Sequence, residues 1–165
     1  MIDPVTAIDA GPRYRTRLHM LWAAFFDLLG VPRSYRALPP PAPLHAPLPT
    51  FWLPHSVEGL AEEGWGLWAR IEPAVPADLS GLIAFSTATR HNLLLFQGRP
   101  LPGKYTVSKI SILHTCTPII NHGMTFRNKE GLVGLFSRTF TSYPAIPFGD
   151  LDAAYDAVRR AITLT

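Results

Sequence analysis

The sequence has one cysteine, few charged residues and no long hydrophobic run. A lone cysteine, Cys116, excludes an internal disulfide and fits a reducing compartment, so we expect a cytoplasmic protein. No uninterrupted apolar stretch of about 18 residues is present, which argues against a transmembrane helix and a membrane partner. The N-terminal segment has acids and prolines where a signal peptide has an apolar core, so secretion is not expected. The phosphate-loop, GxGxxG, GxSxG and HExxH motifs are also missing.

Charged residues make up only 16% of the 165 residues, whereas hydrophobic residues make up 47%. A chain of this length suits one domain with a substantial core. The low charge content favours a surface that a partner protein covers in part, although a large hydrophobic core would give the same composition. We therefore expect a single α/β domain over residues 13–165, preceded by a loose leader over residues 1–12.

Hydrophobic periodicity predicts three helices and several strands. Apolar residues recur at helical spacing over residues 15–29, and helices are also expected over residues 76–89 and after Asp150. Strand patterns cover residues 50–54, 65–71, 92–98, 105–113 and 131–137. A helix between two strands indicates a βαβ crossover, hence a mixed central sheet flanked by helices. The side chains expected in the core are Trp22, Phe25, Trp52, Leu94 and Tyr155.

From Arg90 to Arg138 the charged residues are seven lysines and arginines and one acid, Glu130. From Val57 to Asp78 five acids stand against one cation, Arg70. Such asymmetry is compatible with a basic face that binds phosphate or an acidic partner, and equally with a solvated surface. On the first interpretation, Tyr105 or Phe126 would stack on bases. The nucleic-acid-binding candidates are Lys104, Tyr105, Lys109, Arg127, Lys129 and Arg138.

Three potential zinc ligands lie close together in the sequence. His114, Cys116 and His122 fall within nine residues, but the pattern offers no fourth ligand. The simpler interpretation is a buried thiol with surface histidines, and we expect neither a metal nor another cofactor. A cysteine nucleophile would need an oriented base that the pattern does not identify.

A proline-rich stretch over residues 39–49 carries leucines with little local structure to bury them. Exposed apolar patches commonly mark interaction sites. We therefore expect a protein–protein interface formed by Leu44, Leu48, Trp52 and Trp65.

Five segments resemble, in order, landmarks of the PD-(D/E)XK nuclease superfamily, particularly its small bacterial and phage members. They are RTRLHMLWAAFFDLLG, PTFWLP, WARIE, RHNLLLFQG and AYDAVRRAI, which together span residues 15–162. The resemblance implies a restriction-endonuclease-like fold. It also implies a site in which carboxylates hold Mg²⁺ and a lysine helps to activate water.

The resemblance places the family's catalytic side chains on residues of the wrong chemistry. The helix acid corresponds to His19, the strand aspartate to Thr50, and the paired acid and lysine to Ala69 and Ile71. The neighbouring Glu72 would face the opposite side of its strand, because side chains alternate. No catalytic residue is therefore predicted.

These observations predict a catalytically inactive nuclease-like protein that acts as a binding or scaffolding subunit. Its partners would be proteins of a nucleic-acid-handling complex from a phage, mobile element or defence system, with DNA or RNA as a further ligand. Three alternatives stay open. The first is a stand-alone, non-specific DNA- or RNA-binding protein, and the second is a metal-dependent nuclease with rearranged active-site residues. The third is a virion or complex component that keeps the fold only as a building block.

Overall fold

The computed structural model describes residues 14–35, 49–54, 66–112, 119–129, 132–136, 141–147 and 150–164, so the predicted leader lies outside it. The three helices are α1 (Arg17–Leu29), α2 (Ser80–Thr89) and α3 (Leu151–Thr163). The strands are β1 (Ser34–Tyr35), β2 (Phe51–Pro54), β3 (Gly66–Glu72), β4 (Leu93–Gly98), β5 (Tyr105–Ser111), β6 (Ile119–Lys129), β7 (Leu132–Phe136) and β8 (Thr141–Pro147).

The strands lie side by side in chain order, from the two-residue β1 to β8. Every neighbouring pair is antiparallel except β3 and β4, which run parallel from Trp68 opposite Leu93 to Glu72 opposite Gln97. Parallel neighbours need a crossover connection, and α2 provides it. The predicted α/β class, mixed sheet and βαβ crossover are therefore confirmed.

Helix α1 begins and ends at strong signals. The Thr16 hydroxyl accepts a hydrogen bond from the His19 N–H at 3.1 Å, which caps the first turn. Gly30 ends the helix in the left-handed conformation, with φ of 72°. Between them an apolar stripe is buried against the sheet, and Trp22 Nε1 donates to the Gly98 carbonyl at 2.9 Å. The predicted helix over residues 15–29 is confirmed, with a start two residues later.

The sheet has an apolar core on each face. Helices α1 and α3 cover one face, where Trp22, Phe25, Leu94 and Tyr155 are buried as predicted. Helix α2 covers part of the other, packing on Trp68 and on strand residues of β4 and β5. Trp52, predicted to be in the core, is half-buried at the border of the α2 side. No helix in the described part of the chain is long and apolar enough to cross a bilayer.

Two features differ from the sequence-based expectation. Helix α2 begins at Ser80 and not at Pro76, because the Asp78 carboxylate accepts bonds from the Ser80 N–H at 2.8 Å and the Ser80 hydroxyl at 2.7 Å. That local turn stabilises a non-helical backbone before the helix. Strands β1, β6 and β8 were not expected, since β1 has only two residues and polar or proline residues interrupt the apolar pattern of β6 and β8.

The Gly98 backbone explains how β4 turns into β5. Its φ of +89° lies in the left-handed region, and a Cβ built there would stand 2.3 Å from the Lys104 carbonyl oxygen. Gly103, in the same hairpin, has φ of +68° but no atom within 4 Å of its built Cβ. Of these two glycines, Gly98 alone is a position where an added side chain would meet both an unfavourable φ and a backbone clash.

We predict that Gly98→Ala destabilises the protein by at least about 2 kcal/mol more than Gly103→Ala. Both changes incur the left-handed penalty of about 1–2 kcal/mol, so their difference isolates the contact with Lys104. Urea unfolding of both variants measures it. Equal losses would show that the hairpin adapts and that the close approach is not needed.

Candidate functional site

Thr50 closes the junction between β2 and β3. Its N–H donates to the Ala69 carbonyl at 2.7 Å, and its hydroxyl accepts from the Ile71 N–H at 3.0 Å. Strand β2 begins only at Phe51, so the Ile71 amide lies beyond the last backbone pair of the ladder. A side-chain hydroxyl therefore supplies the acceptor that the strand backbone does not. We call Thr50, Ala69 and Ile71 the Thr50 clamp.

The clamp brings together three of the four positions where the resemblance places metal-site residues. Thr50, Ala69 and Ile71 are 2%, 0% and 2% exposed, so all three lie in the core. The fourth, His19, is half-buried on α1, and its Nδ1 lies 3.1 Å from the Tyr35 hydroxyl. Tyr35 in turn stands opposite Phe51 in the sheet. Through Tyr35, His19 is thus linked to Phe51, the residue that follows Thr50.

The chemistry of these four side chains is that of a structural junction. They comprise a methyl group, a butyl group, a hydroxyl that already accepts a bond and an imidazole beside a phenol, and none is a carboxylate. Mg²⁺ favours carboxylate and other oxygen ligands, so this set fits the ion poorly. Among the described residues, no three His, Cys, Asp or Glu side chains are grouped in a way that could hold a metal ion.

Glu72, the acid next to the clamp, faces away from it. Burial along β3 alternates after Trp68, with Ala69 and Ile71 buried and Arg70 and Glu72 half-buried. The expectation that Glu72 and Ile71 face opposite sides is confirmed. Arg70 Nε donates to one Glu72 carboxylate oxygen at 2.6 Å, and Arg70 Nη2 forms an ion pair with the same oxygen at 2.6 Å. Arg70 and Glu72 therefore pair with each other on the face of β3 that is opposite the clamp.

The predicted nucleic-acid residues do not share one face. Lys104 is exposed in the β4–β5 hairpin, while Lys109 is half-buried on the α1 and α3 side by the alternation of β5. Arg127 is exposed, and it alternates with the core residue Phe126, so it points to the other side. Lys129 belongs to β6. The Lys129 side chain and Arg138 lie outside the described part.

Tyr105 and Phe126, the two predicted stacking rings, are core residues. They are 8% and 5% exposed. The Tyr105 hydroxyl lies 2.7 Å from the Tyr155 hydroxyl and accepts from the Phe126 N–H at 2.9 Å. Burial raises the pKa of Tyr105, and the bond with Tyr155 adds to the rise. The stacking role is therefore wrong in this structure, because neither ring has a face open to a base.

His122 contacts a buried serine that the sequence did not single out. Strand β6 places two residues, His122 and Gly123, opposite Ser108, and Gly123 has φ of 75°, as in a glycine bulge. The bulge sets His122 Nδ1 3.0 Å from the Ser108 hydroxyl. Ser108 is only 2% exposed, so the pair links two strands and leaves no room for a substrate at the hydroxyl. His114 and Cys116, its proposed zinc-binding companions, lie outside the described residues.

Trp52 is the single described member of the expected protein interface, since Leu44, Leu48 and Trp65 fall outside the described ranges. Its ring centroid is 4.5 Å from that of Trp68 and 5.0 Å from that of His91. Burial lowers the pKa of His91. Trp52 thus packs against Trp68 and His91 of its own domain, and part of its surface is still exposed to solvent.

Comparison with known proteins identifies no relative of this chain. No protein-family model, curated protein or solved structure matches the chain. The chemistry of the candidate site therefore has to be argued from its own residues.

We predict that Thr50→Val destabilises the protein by about 1–3 kcal/mol, whereas Thr50→Ser costs less than half of that. Valine keeps the shape but leaves the buried Ile71 N–H without its acceptor, while serine retains the hydroxyl. Urea unfolding of both variants measures the difference. If the two variants lose equal stability, the hydrogen bond contributes nothing beyond packing.

Lys109 provides a pH-dependent test of its partial burial. Desolvation lowers its pKa from the ordinary value of 10.5. The unfolded chain then holds the proton more tightly than the folded protein, so the stability rises with pH between the folded pKa and 10.5. We predict that Lys109→Met raises the melting temperature at neutral pH and flattens this rise. Lys104→Met, at an exposed position, serves as the control, and identical pH profiles for both variants would contradict the assignment.

Proposed function

We propose that the protein is a catalytically silent, restriction-endonuclease-like member of the PD-(D/E)XK group. On this proposal it is a binding or scaffolding subunit of a cytoplasmic nucleic-acid-handling complex, of phage, mobile-element or defence origin. The observation that carries the proposal is the Thr50 clamp. Where the resemblance expects metal ligands, Thr50 makes two hydrogen bonds to β3, one through its backbone N–H and one through its hydroxyl, and apolar side chains fill the rest.

The order of elements supports the family part of the proposal. Helix α1, the antiparallel strands β2 and β3, the crossover helix α2, the parallel strand β4 and the final helix α3 occur in the same order as the quoted segments, with β1 and β5–β8 between them. Three of the quoted segments also lie in the kind of element that the resemblance implies for them. WARIE lies in β3, the buried run of RHNLLLFQG forms β4, and AYDAVRRAI lies in α3.

The distribution of charge supports a nucleic-acid ligand. The described ion pairs engage Arg33, Arg70 and Arg159. Arg99 and Lys104 instead lie exposed in one hairpin, and no described acid pairs with them. Exposed cations without counter-charges attract phosphates and release counterions on binding. We therefore assign the primary phosphate contact to the β4–β5 hairpin, with Arg127 as a separate contact on the other face.

A nuclease with rearranged ligands is the second candidate, and Glu72 is the observation that motivates it. Its carboxylate is adjacent to the motif position and 26% exposed at the side chain. A working site would need Arg70 to release it and a second acid to approach. The stand-alone binding protein differs from the leading proposal only in lacking a protein partner.

One assay separates these candidates. Labelled single- and double-stranded DNA and RNA are incubated with the protein in millimolar Mg²⁺ or Mn²⁺, and binding and cleavage are measured on the same samples. We predict salt-sensitive binding that ignores sequence, and no cleavage above a blank. Replacing Arg99 and Lys104 with Gln should weaken binding about tenfold or more at low salt and reduce the salt slope by about two.

Exposed Arg159 on α3, which pairs with Asp156, gives a matched control: Arg159→Gln should leave binding nearly unchanged. Cleavage that disappears with Glu72→Gln would establish the rearranged nuclease. Binding that ignores both salt and the hairpin changes would contradict the nucleic-acid assignment. Co-purification of the intact chain with a protein partner supports the subunit role, and a chain that binds nucleic acid but recovers no protein would favour the stand-alone alternative.

A further inference from the structure

A cavity of about 260 Å³ lies at the edge where β3 and β4 end, and none of its described lining residues belongs to the Thr50 clamp. Pro73 follows β3 and Gly98 ends β4, and both line the cavity. Parallel strands present their carboxyl ends to the same edge, and open α/β sheets commonly bind ligands in the crevice beyond such ends. The cavity is thus in a position that the topology makes suitable for a ligand.

Two guanidinium groups give the cavity its charge. Arg17, from the first turn of α1, and Arg99, from the hairpin after β4, both line it, and none of the described lining residues is acidic. Arg17 Nη2 donates to the carbonyls of Ala161 and Ile162 at 3.4 and 3.1 Å, so α3 fixes its position. Arg99 is exposed and pairs with no described acid. A positive cavity with one fixed and one adjustable arginine is suited to an anion.

The remaining lining residues are apolar, and they limit the size of the ligand. Leu18, Leu21 and Ile162 form the wall between the two helices. The volume is below the range of about 300–1,000 Å³ that is usual for drug-sized ligands. The cavity therefore suits one anionic group with a short, partly apolar body. One guanidinium group can donate two parallel hydrogen bonds to two oxygens of a phosphate, which favours phosphate as that anion.

Positive charge continues from the cavity to the outside. The Arg99 backbone N–H donates to the Lys104 carbonyl at 3.2 Å, which closes the hairpin and holds exposed Lys104 beside the lining residue Arg99. A free mononucleotide would have no second phosphate to reach this lysine, whereas the end of a strand would.

We propose that this cavity binds the terminal phosphate of a nucleic-acid strand, with its apolar wall against the terminal nucleoside. Arg99 supplies the adjustable phosphate contact, and Lys104 meets the next phosphate along the strand. This inference rests on the proposed nucleic-acid binding and adds to it a preference for strand ends.

Fluorescence anisotropy of one labelled oligonucleotide tests the proposal, in forms with a 5′-phosphate, a 3′-phosphate or neither. We expect one phosphorylated form to bind about tenfold more tightly than the unphosphorylated form, as charge-assisted bonds to a phosphate imply. Arg99→Gln should remove this preference. Arg127→Gln, an exposed change on the other face of the sheet, should weaken all three forms by the same factor.

The possible failures are distinguishable. Equal affinity for all three forms would overturn the strand-end site and leave the proposed nucleic-acid binding intact. An Arg99→Gln variant that keeps the end preference would also overturn it. Competition by a free 5′-mononucleotide as effective as that by the phosphorylated strand would show that the cavity takes small nucleotides and not strand ends. Failure of every oligonucleotide to bind would contradict both proposals. Unchanged thermal unfolding of Arg99→Gln confirms that the variant is folded.

Discussion

Strand β3 is held between an antiparallel neighbour and a parallel one, and this pairing constrains both faces of the sheet. The parallel pairing with β4 requires the crossover through α2, which covers one face near Trp68. Helices α1 and α3 cover the other face, where Ala69 and Ile71 lie. A strand buried on both sides has little room for charge in its centre. Its polar pair, Arg70 and Glu72, accordingly lies towards the carboxyl end.

The Thr50 clamp follows from that constraint. A carboxylate at Thr50 would be almost completely desolvated among aromatic and aliphatic side chains, and a lone buried charge is costly without a cation or several donors. Threonine satisfies the Ile71 amide and stays neutral. On our proposal, the substitutions that removed the metal ligands also improved the packing of this junction. Without acids there, the apolar residues at positions 69 and 71 stabilise the core.

The parts of the fold that were predictable from sequence carry strong local signals. The stripe of α1 with Thr16 and Gly30 at its ends, the continuous apolar run of β4 and the Asp150 cap of α3 all depend on neighbours in the chain. Strand β6 was missed because its polar residues and the bulge at Gly123 interrupt the apolar alternation. The start of α2 was misplaced because Asp78 organises a local turn. Tyr105 and Phe126 were misassigned because an aromatic residue beside a basic one, Lys104 or Arg127, has the same sequence pattern in a core as on a binding face. The pairing of Arg17 with Arg99 in a cavity joins residues 82 positions apart, which no local pattern reveals.

On this account the Thr50 clamp is a closed structural junction and not a metal site. Paramagnetic broadening of amide resonances by Mn²⁺ tests it most directly, because the effect depends on distance and needs no catalytic turnover. Titration of the intact chain should leave the amides of Thr50, Ala69 and Ile71 no more broadened than those of other buried residues, such as Leu94. Selective broadening centred on the three clamp amides at low Mn²⁺ would contradict the account.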